Sequence, residues 1–166
     1  MSAPRPVYNV LFLCTGNSAR SILAEALLNP LGKGDFRGFS AGSRPAGRVN
    51  PLALEVLEKC GIPTAGLRSK SWDEFAPPEA PRLDFVFTLC DGAAGETCPV
   101  WPGHPVTAHW GVPDPAAIEG DRERRLWAMD QALRILDRRI GLFVSLPFAS
   151  LERIALHERV SEIGRR

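Results

Sequence analysis

A cysteine and an arginine stand six positions apart in the segment CTGNSARS, which runs from Cys14 to Ser21. This spacing predicts a turn between a strand and a helix, in which backbone N–H groups converge on a tetrahedral oxyanion. Arg20 would bind two oxygens of that anion, and the same positive groups would stabilise Cys14 as a nucleophilic thiolate. Ser21 is expected to donate a hydrogen bond to the sulfur. The predicted oxyanion-binding residues are Thr15, Gly16, Asn17, Ser18, Ala19 and Arg20. The alternative is a buried cysteine at a strand end, followed by an unrelated surface arginine.

The elements that must position this segment are those of an α/β domain, in which strands alternate with helices. Continuous apolar runs predict strands, and apolar residues three and four positions apart predict helices. The strands are predicted at Val7 to Leu13, Phe36 to Ser40, Leu83 to Leu89 and Val106 to Trp110. The helices are predicted at Ser18 to Leu28, after Asn50, from Glu119 towards Pro147, and from about Leu151 to Ile163. Because parallel strands place their carboxyl ends at one edge of a sheet, Cys14 and Cys90 are expected to lie at the same edge.

Three helix positions carry specific expectations. Asn29 and Pro30 are predicted to end the first helix, because proline cannot donate a backbone hydrogen bond. Asn50 is predicted to cap the second helix. Cys60, at the end of that helix, is expected to pack on its apolar side.

Composition and charge limit the classes of function that the chain can have. The chain has 166 residues and a net charge of +1, which fits one domain and does not favour nucleic-acid binding. No apolar run is long enough for a transmembrane helix, and the amino-terminal segment does not resemble a signal peptide. We therefore expect a cytoplasmic protein without membrane contact. In that compartment, the four cysteines are expected to be catalytic, redox-active or buried.

Two segments resemble a known superfamily. CTGNSARS is similar to the phosphate-binding loop of low-molecular-weight protein tyrosine phosphatases, and is still more similar to that of the related thioredoxin-coupled arsenate reductases. TLCDGAAGETCPVWPGHPVTAHWGVPDPA, residues 88–116, resembles the corresponding region of the reductases. Over residues 7–140, the resemblance implies a flavodoxin-like, four-stranded parallel sheet flanked by helices. Residues 142–166 are expected to add a C-terminal helical extension to a single domain spanning 1–166.

The resemblance to the reductases implies a relay of three thiols. Cys14 would attack arsenate, while Asp114 would protonate the departing oxygen. Cys90 would then attack Cys14 and release arsenite, and Cys98 would attack Cys90. An external dithiol protein, thioredoxin or glutaredoxin, would reduce the final disulfide. The relay uses no metal and no tightly bound cofactor.

Two other functions remain open from the sequence. A small phosphatase would need Cys14, Arg20 and Asp114 but neither Cys90 nor Cys98. The tyrosine phosphatases carry an aromatic residue after their Asp-Pro pair, whereas Ala116 stands there in this chain. A thiol redox sensor would bind an oxyanion at Cys14 without turnover.

The sequence offers two candidate cation sites. Cys90, Cys98, His104 and His109 could form a zinc set, although seven residues separate the two cysteines, more than in usual zinc pairs. His109 and Trp110 are instead expected to shape the edge of the pocket. Asn17, Glu25 and Ser40 match positions that hold potassium in some arsenate reductases. Lys70, in the segment RSKS, would place an ammonium where an acidic ligand of the ion is expected, and that ammonium would replace the ion.

Overall fold

The computed structural model describes residues 6–76, 80–90, 101 and 104–166. Four strands alternate with helices in chain order. The strands are β1 (Tyr8–Cys14), β2 (Phe36–Gly42), β3 (Phe85–Thr88) and β4 (Val106–His109). The helices are α1 (Arg20–Leu31), α2 (Pro51–Lys59), α3 (Arg122–Val144) and α4 (Arg153–Gly164). Short 3₁₀ turns lie at Trp72–Phe75, Pro115–Ala117 and Phe148–Ser150.

The four strands form one parallel sheet in the order β2-β1-β3-β4. This order confirms the flavodoxin-like fold expected from the sequence. β1 lies in the interior of the sheet, and Val10 to Leu13 are fully buried because apolar groups cover both faces. In the register, Cys14 is opposite Gly42 on β2, and Leu13 is opposite Thr88 on β3. The chain therefore leaves β1 and β3 at the same edge, where Cys14 and Cys90 meet.

The first helix departs from its predicted bounds at both ends. It begins at Arg20 and continues to Leu31, with Pro30 inside its last turn. The prediction that Pro30 would end the helix was therefore wrong. Proline at this position withholds one N–H group, but Gly32 still donates to the Leu28 carbonyl and Lys33 to the Pro30 carbonyl. The last turn consequently keeps most of its hydrogen bonds.

The second helix confirms one prediction and contradicts another. The Asn50 side chain accepts a hydrogen bond from the Leu52 N–H group at 2.9 Å, as a helix cap does. The expectation that Cys60 packs on the apolar side was wrong, because its side chain is exposed. The helix ends at Lys59, and Gly61 turns the chain away with a φ of 71°. This turn takes Cys60 off the buried face of the helix.

The last two helices complete the packing around the sheet. α3 begins at Arg122, three residues later than predicted, because the Asp121 side chain caps it by accepting from the Arg124 N–H group at 2.9 Å. Its predicted apolar stripe is confirmed by buried Met129, Leu133, Leu136, Ile140 and Phe143. α4 packs against β4 and α3. Within the described ranges, none of the helices combines the length and apolarity needed to span a bilayer.

Candidate active site

The loop between β1 and α1 is held open by hydrogen bonds on its outer side. The Arg44, Ala46 and Asn50 N–H groups donate to the carbonyls of Thr15, Gly16 and Ser18 at 2.8–3.0 Å, respectively. In the described part of the chain, the N–H groups of residues 16–19 donate to no protein acceptor. Those N–H groups lie beside the first turn of α1, which is the arrangement that an anion-binding nest requires.

Asn17 fixes the shape of this loop from inside. It is fully buried and adopts a φ of 45°, a left-handed conformation that asparagine tolerates better than most residues. Its side-chain oxygen accepts from the Lys70 backbone N–H at 2.9 Å, and its amide nitrogen donates to Ser21 Oγ at 2.7 Å. The strained residue is thus held by one bond from a distant segment and one bond to the start of α1.

Ser21 is oriented toward the nucleophile by the same chain of bonds. Its Oγ lies 2.9 Å from Cys14 Sγ, and Cys14 is only 3% exposed. Because Asn17 occupies a lone pair of the Ser21 oxygen, the hydroxyl hydrogen is available to donate to the sulfur. A hydrogen bond to a charged acceptor is about twice as strong as one to a neutral acceptor. Ser21 is therefore placed to donate to the Cys14 sulfur, as the sequence predicts.

Cys90 lies directly against this site. It is buried and forms a two-residue contact cluster with Cys14. The Thr15 N–H donates to Cys90 Sγ at 3.2 Å, and Thr15 Oγ1 lies 3.4 Å from the same sulfur. The first N–H of the loop is consequently engaged with the second thiol rather than left open for an anion. Cys98, the third predicted thiol, lies outside the described residues.

Arg20 and Asp114 lie beside each other in the lining of a cavity of about 370 Å³ at this edge. Arg20 Nη1 donates to the Val112 carbonyl at 2.9 Å, and Nη2 lies 3.8 Å from Asp114 Oδ2. The other Asp114 oxygen accepts from the Ala116 N–H at 2.9 Å and caps the turn that follows. The cavity is lined by Arg20, Leu89, Cys90, Gly111, Val112, Pro113 and Asp114. It brings together the guanidinium, a thiol and a carboxyl group that the sequence analysis singled out separately.

A buried ion pair supports the loop from behind. Ser40 Oγ donates to Glu25 Oε1 at 2.6 Å, and Lys70 Nζ lies 3.7 Å from the same oxygen. Lys70 Nζ also donates to the Arg68 carbonyl at 2.9 Å. Burial raises the pKa of Glu25, against the opposing effects of Ser40 and Lys70. Burial likewise lowers the pKa of Lys70, against the opposing charge of Glu25.

The described residues do not supply a set of ligands for the zinc alternative. There, no group of three or more histidine, cysteine, aspartate or glutamate side chains is placed to hold a metal ion. The imidazole of His109 is hydrogen-bonded through Nδ1 to Thr88 Oγ1 at 2.7 Å. The expectation that Trp110 shapes the edge of the pocket was wrong, because its ring is fully buried and stacks on Phe87.

Several supporting residues were missed by the sequence analysis. Lys70 was considered only for its ammonium, whereas its backbone N–H also holds Asn17. Arg139 was not considered, yet it binds the two carbonyls that precede the Asp114 loop. The only sequence signal at Arg139 is a charge that interrupts the apolar stripe of α3.

Comparisons with known proteins agree with this geometry. The family model of the low molecular weight phosphotyrosine protein phosphatases matches residues 9–151. An arsenate reductase of Shouchella clausii is 38% identical over 125 residues, which cover 75% of this chain and 86% of the relative.

Two solved structures are also similar. An arsenate reductase from Archaeoglobus fulgidus is 27% identical and has a TM-score of 0.64, over 82% of this chain and 99% of the other. A thioredoxin-dependent arsenate reductase of Corynebacterium glutamicum is 28% identical and has a TM-score of 0.56, over 84% of this chain and 65% of the other.

Proposed function

The chain belongs to the low molecular weight phosphotyrosine protein phosphatase family, and from this premise we propose that it is an arsenate reductase. The observation that carries the proposal is the contact between Cys14 and Cys90 beneath the anion-binding loop. A phosphatase of this family needs one cysteine, an arginine and a general acid. A second thiol, buried against the nucleophile, suits thiol–disulfide exchange instead.

The first step of the proposed reaction forms a bond between sulfur and arsenic. Arsenate binds to the loop N–H groups and to the guanidinium of Arg20. The Cys14 thiolate attacks arsenic, and Asp114 donates a proton to the oxygen that leaves as water. Arsenic remains in its +5 state and is attached to Cys14.

The second step reduces arsenic. Cys90, as a thiolate, attacks Cys14 Sγ, and a disulfide forms between the two sulfurs. The electron pair of the sulfur–arsenic bond passes to arsenic, which leaves as arsenite in its +3 state. This step is supported by the packing of Cys14 and Cys90 against each other in one buried cluster.

The third step restores the nucleophile. Cys98 attacks Cys90, a Cys90–Cys98 disulfide forms, and Cys14 leaves as a thiolate. We propose that a dithiol protein of the thioredoxin type, with glutaredoxin as the alternative, reduces that disulfide and supplies the two electrons. A cytoplasmic location fits this donor, because thiols are kept reduced there.

We propose that the Lys70 ammonium replaces a bound potassium ion beside Glu25. It lies 3.7 Å from the largely buried Glu25 carboxylate, which also accepts from Ser40, so the ammonium occupies the place of a counter-ion. Arsenate turnover should therefore be the same in potassium chloride and in tetramethylammonium chloride at equal ionic strength. Lys70→Met should become potassium-dependent if the ion can enter the space that the ammonium leaves.

The test of function is arsenate-dependent NADPH oxidation in the presence of thioredoxin and thioredoxin reductase. We expect multiple turnovers with the parent chain, loss of all turnover in Cys14→Ser, and at most one turnover in Cys98→Ser. Cys60→Ser is the matched control, because this cysteine is exposed and lies outside the site. Full multiple turnover in Cys90→Ser or Cys98→Ser would contradict the relay.

Phosphatase activity is the second candidate function, because Arg20 and Asp114 also meet the needs of phosphate-ester hydrolysis. Hydrolysis of p-nitrophenyl phosphate should be measured beside arsenate reduction. Fast hydrolysis without arsenate turnover, unchanged in Cys90→Ser, would favour this function over the reductase.

A further inference from the structure

Several hydrogen bonds fix the start of the segment that carries Asp114. We call this start, residues 110–112, the root. The segment continues from β4. The Trp110 N–H donates to the carbonyl of Thr88, the last residue of β3, and the Val112 N–H donates to the carbonyl of Leu89. The Val112 carbonyl accepts from Arg20. Only Pro113 separates Val112 from Asp114, so the orientation of the carboxyl group depends on this root.

Arg139 reaches the root from the C-terminal part of α3. Its Nη1 donates to the Trp110 and Gly111 carbonyls, both at 3.0 Å, and the residue is 7% exposed. Within the described residues, no carboxylate lies at ion-pair distance from it, and its buried Nε has no partner. Burial, together with the charge of neighbouring Arg138, lowers the pKa of Arg139. A buried charge without a counter-ion is unfavourable, and a neutral apolar side chain would fill this helix position at lower cost.

The last helix holds the same root from the other side. The indole N–H of Trp110 donates to the Val160 carbonyl at 2.9 Å, inside the protein. Gly164 lies so close to the strand end that an added Cβ would stand 2.3 Å from the His109 carbonyl oxygen and 2.7 Å from Trp110 Cδ1. α4 therefore needs a glycine at this point to approach the root. All of this helix lies beyond residue 151, where the family match ends.

We propose that Arg139 and Trp110 are positioning residues for the general acid, and that they act by fixing the carbonyls and the ring at the root of the Asp114 loop. This inference rests on the proposed role of Asp114 in the reductase reaction. Proton transfer requires the donor within about 2.6–3.2 Å of the departing oxygen. A displacement of about 1 Å can lower a rate on the order of 100-fold. A loosened root would therefore slow protonation while leaving the anion-binding loop in place.

A double-mutant cycle with Arg139→Met and Asp114→Asn tests the proposal. The measurement is single-turnover arsenite formation by the fully reduced chain, over a range of arsenate concentrations. We expect Arg139→Met to lower the maximal rate by about 10- to 100-fold, with less than a threefold change in half-saturating arsenate. Added to Asp114→Asn, it should lower the rate by less than about threefold, because the group that it positions is already lost.

Two controls separate positioning from general destabilisation. Arg138→Met removes the adjacent, exposed arginine of the same helix, which donates to the carbonyl of Arg166, and should change the rate less than twofold. Alkylation of Cys14 by iodoacetamide should proceed in Arg139→Met as in the parent chain. A merely structural defect would instead slow the alkylation or multiply the loss in the double variant.

Trp110→Phe keeps the proposal testable if Arg139→Met does not fold. It retains an aromatic ring against Phe87 but removes the N–H that binds the Val160 carbonyl. We expect Trp110→Phe to lower the maximal rate severalfold in the parent chain. The same substitution should not lower the rate further when Asp114 is already replaced by asparagine. Equal losses on both backgrounds, or no loss in any root variant, would overturn the inference. A full rate in Asp114→Asn alone would instead overturn the proposed role of Asp114.

Discussion

Replacing Lys70 by methionine should destabilise the protein, because it leaves a buried carboxylate without its cation. In the parent chain, the Lys70 and Glu25 side chains are 9% and 14% exposed and lie 3.7 Å apart. Removal of one partner from a buried ion pair costs about 3–5 kcal/mol, and the long separation favours the lower end. In a domain of this size, about 1 kcal/mol lowers the melting temperature by about 2–4 °C. We therefore expect a loss of about 6–12 °C near neutral pH.

The loss should depend on pH with a definite sign. Burial already raises the pKa of Glu25 above its ordinary value, and the Lys70 ammonium opposes that rise. Without the ammonium, the pKa should rise further. A carboxyl group with a raised pKa in the folded state binds more protons there than in the unfolded chain, so stability falls as pH rises through this range. The deficit of Lys70→Met should thus be small near pH 4.5 and largest above neutral pH.

Thermal unfolding followed by circular dichroism at pH 5, 6 and 7.5 measures this effect. The double variant Glu25→Gln/Lys70→Met should recover most of the loss, because no buried charge remains. Lys59→Met is the matched control, since Lys59 forms an exposed ion pair with Glu55 and should shift the melting temperature little. A pH-independent deficit in Lys70→Met, or a double variant no more stable than the single one, would refute the reasoning.

Three further substitutions test the anion-binding loop. Ser21→Ala removes a hydrogen bond to Cys14 sulfur worth about 1.5–3 kcal/mol when the acceptor is charged, and should slow iodoacetamide alkylation at pH 6 about tenfold. Arg20→Lys cannot bind two oxygens at once and should raise half-saturating arsenate by about tenfold or more, as measured in the thioredoxin-coupled assay. Gly42→Ala would place a Cβ 2.4 Å from the Thr15 carbonyl oxygen, and should lower the free energy of unfolding in urea by about 1–3 kcal/mol. Parent-like values for any of these variants would contradict the geometry of the loop.

Much of the site could be predicted because its chemistry is local in sequence. The nucleophile, the arginine and the serine lie within eight residues, between an apolar run and an amphipathic segment. The meeting of Cys14 and Cys90 also followed from pattern, because Cys14 ends β1 and Cys90 follows the end of the parallel strand β3 by two residues. Each of these predictions depends on the period of buried residues, which the sequence displays directly.

The contacts that hold the site in shape are long-range, and local pattern does not contain them. The bond between the Lys70 N–H and Asn17 joins residues 53 positions apart, and that between Arg139 and the Trp110 carbonyl joins residues 29 apart. Trp110 was expected at the pocket edge, and its burial could not be predicted locally because the helix that covers it, α4, lies 50 positions further along the chain. Cys60 was expected to be buried because it follows the apolar residues of α2. The turn at Gly61, with a φ of 71°, exposes it, and local sequence pattern does not give the direction in which the chain turns there.

The hydrogen bonds around Cys14 explain how one loop can serve two different steps of the proposed relay. In the first step, the Ser21 hydroxyl and the loop N–H groups stabilise the attacking thiolate. In the third step, Cys14 is the leaving group, and exchange is faster when the departing sulfur is stabilised as a thiolate. The Thr15 N–H meanwhile donates to Cys90, the sulfur that must attack in the second step. A loop suited to phosphate chemistry thus needs only a neighbouring thiol, held by its first N–H, to direct the same nucleophile into disulfide exchange.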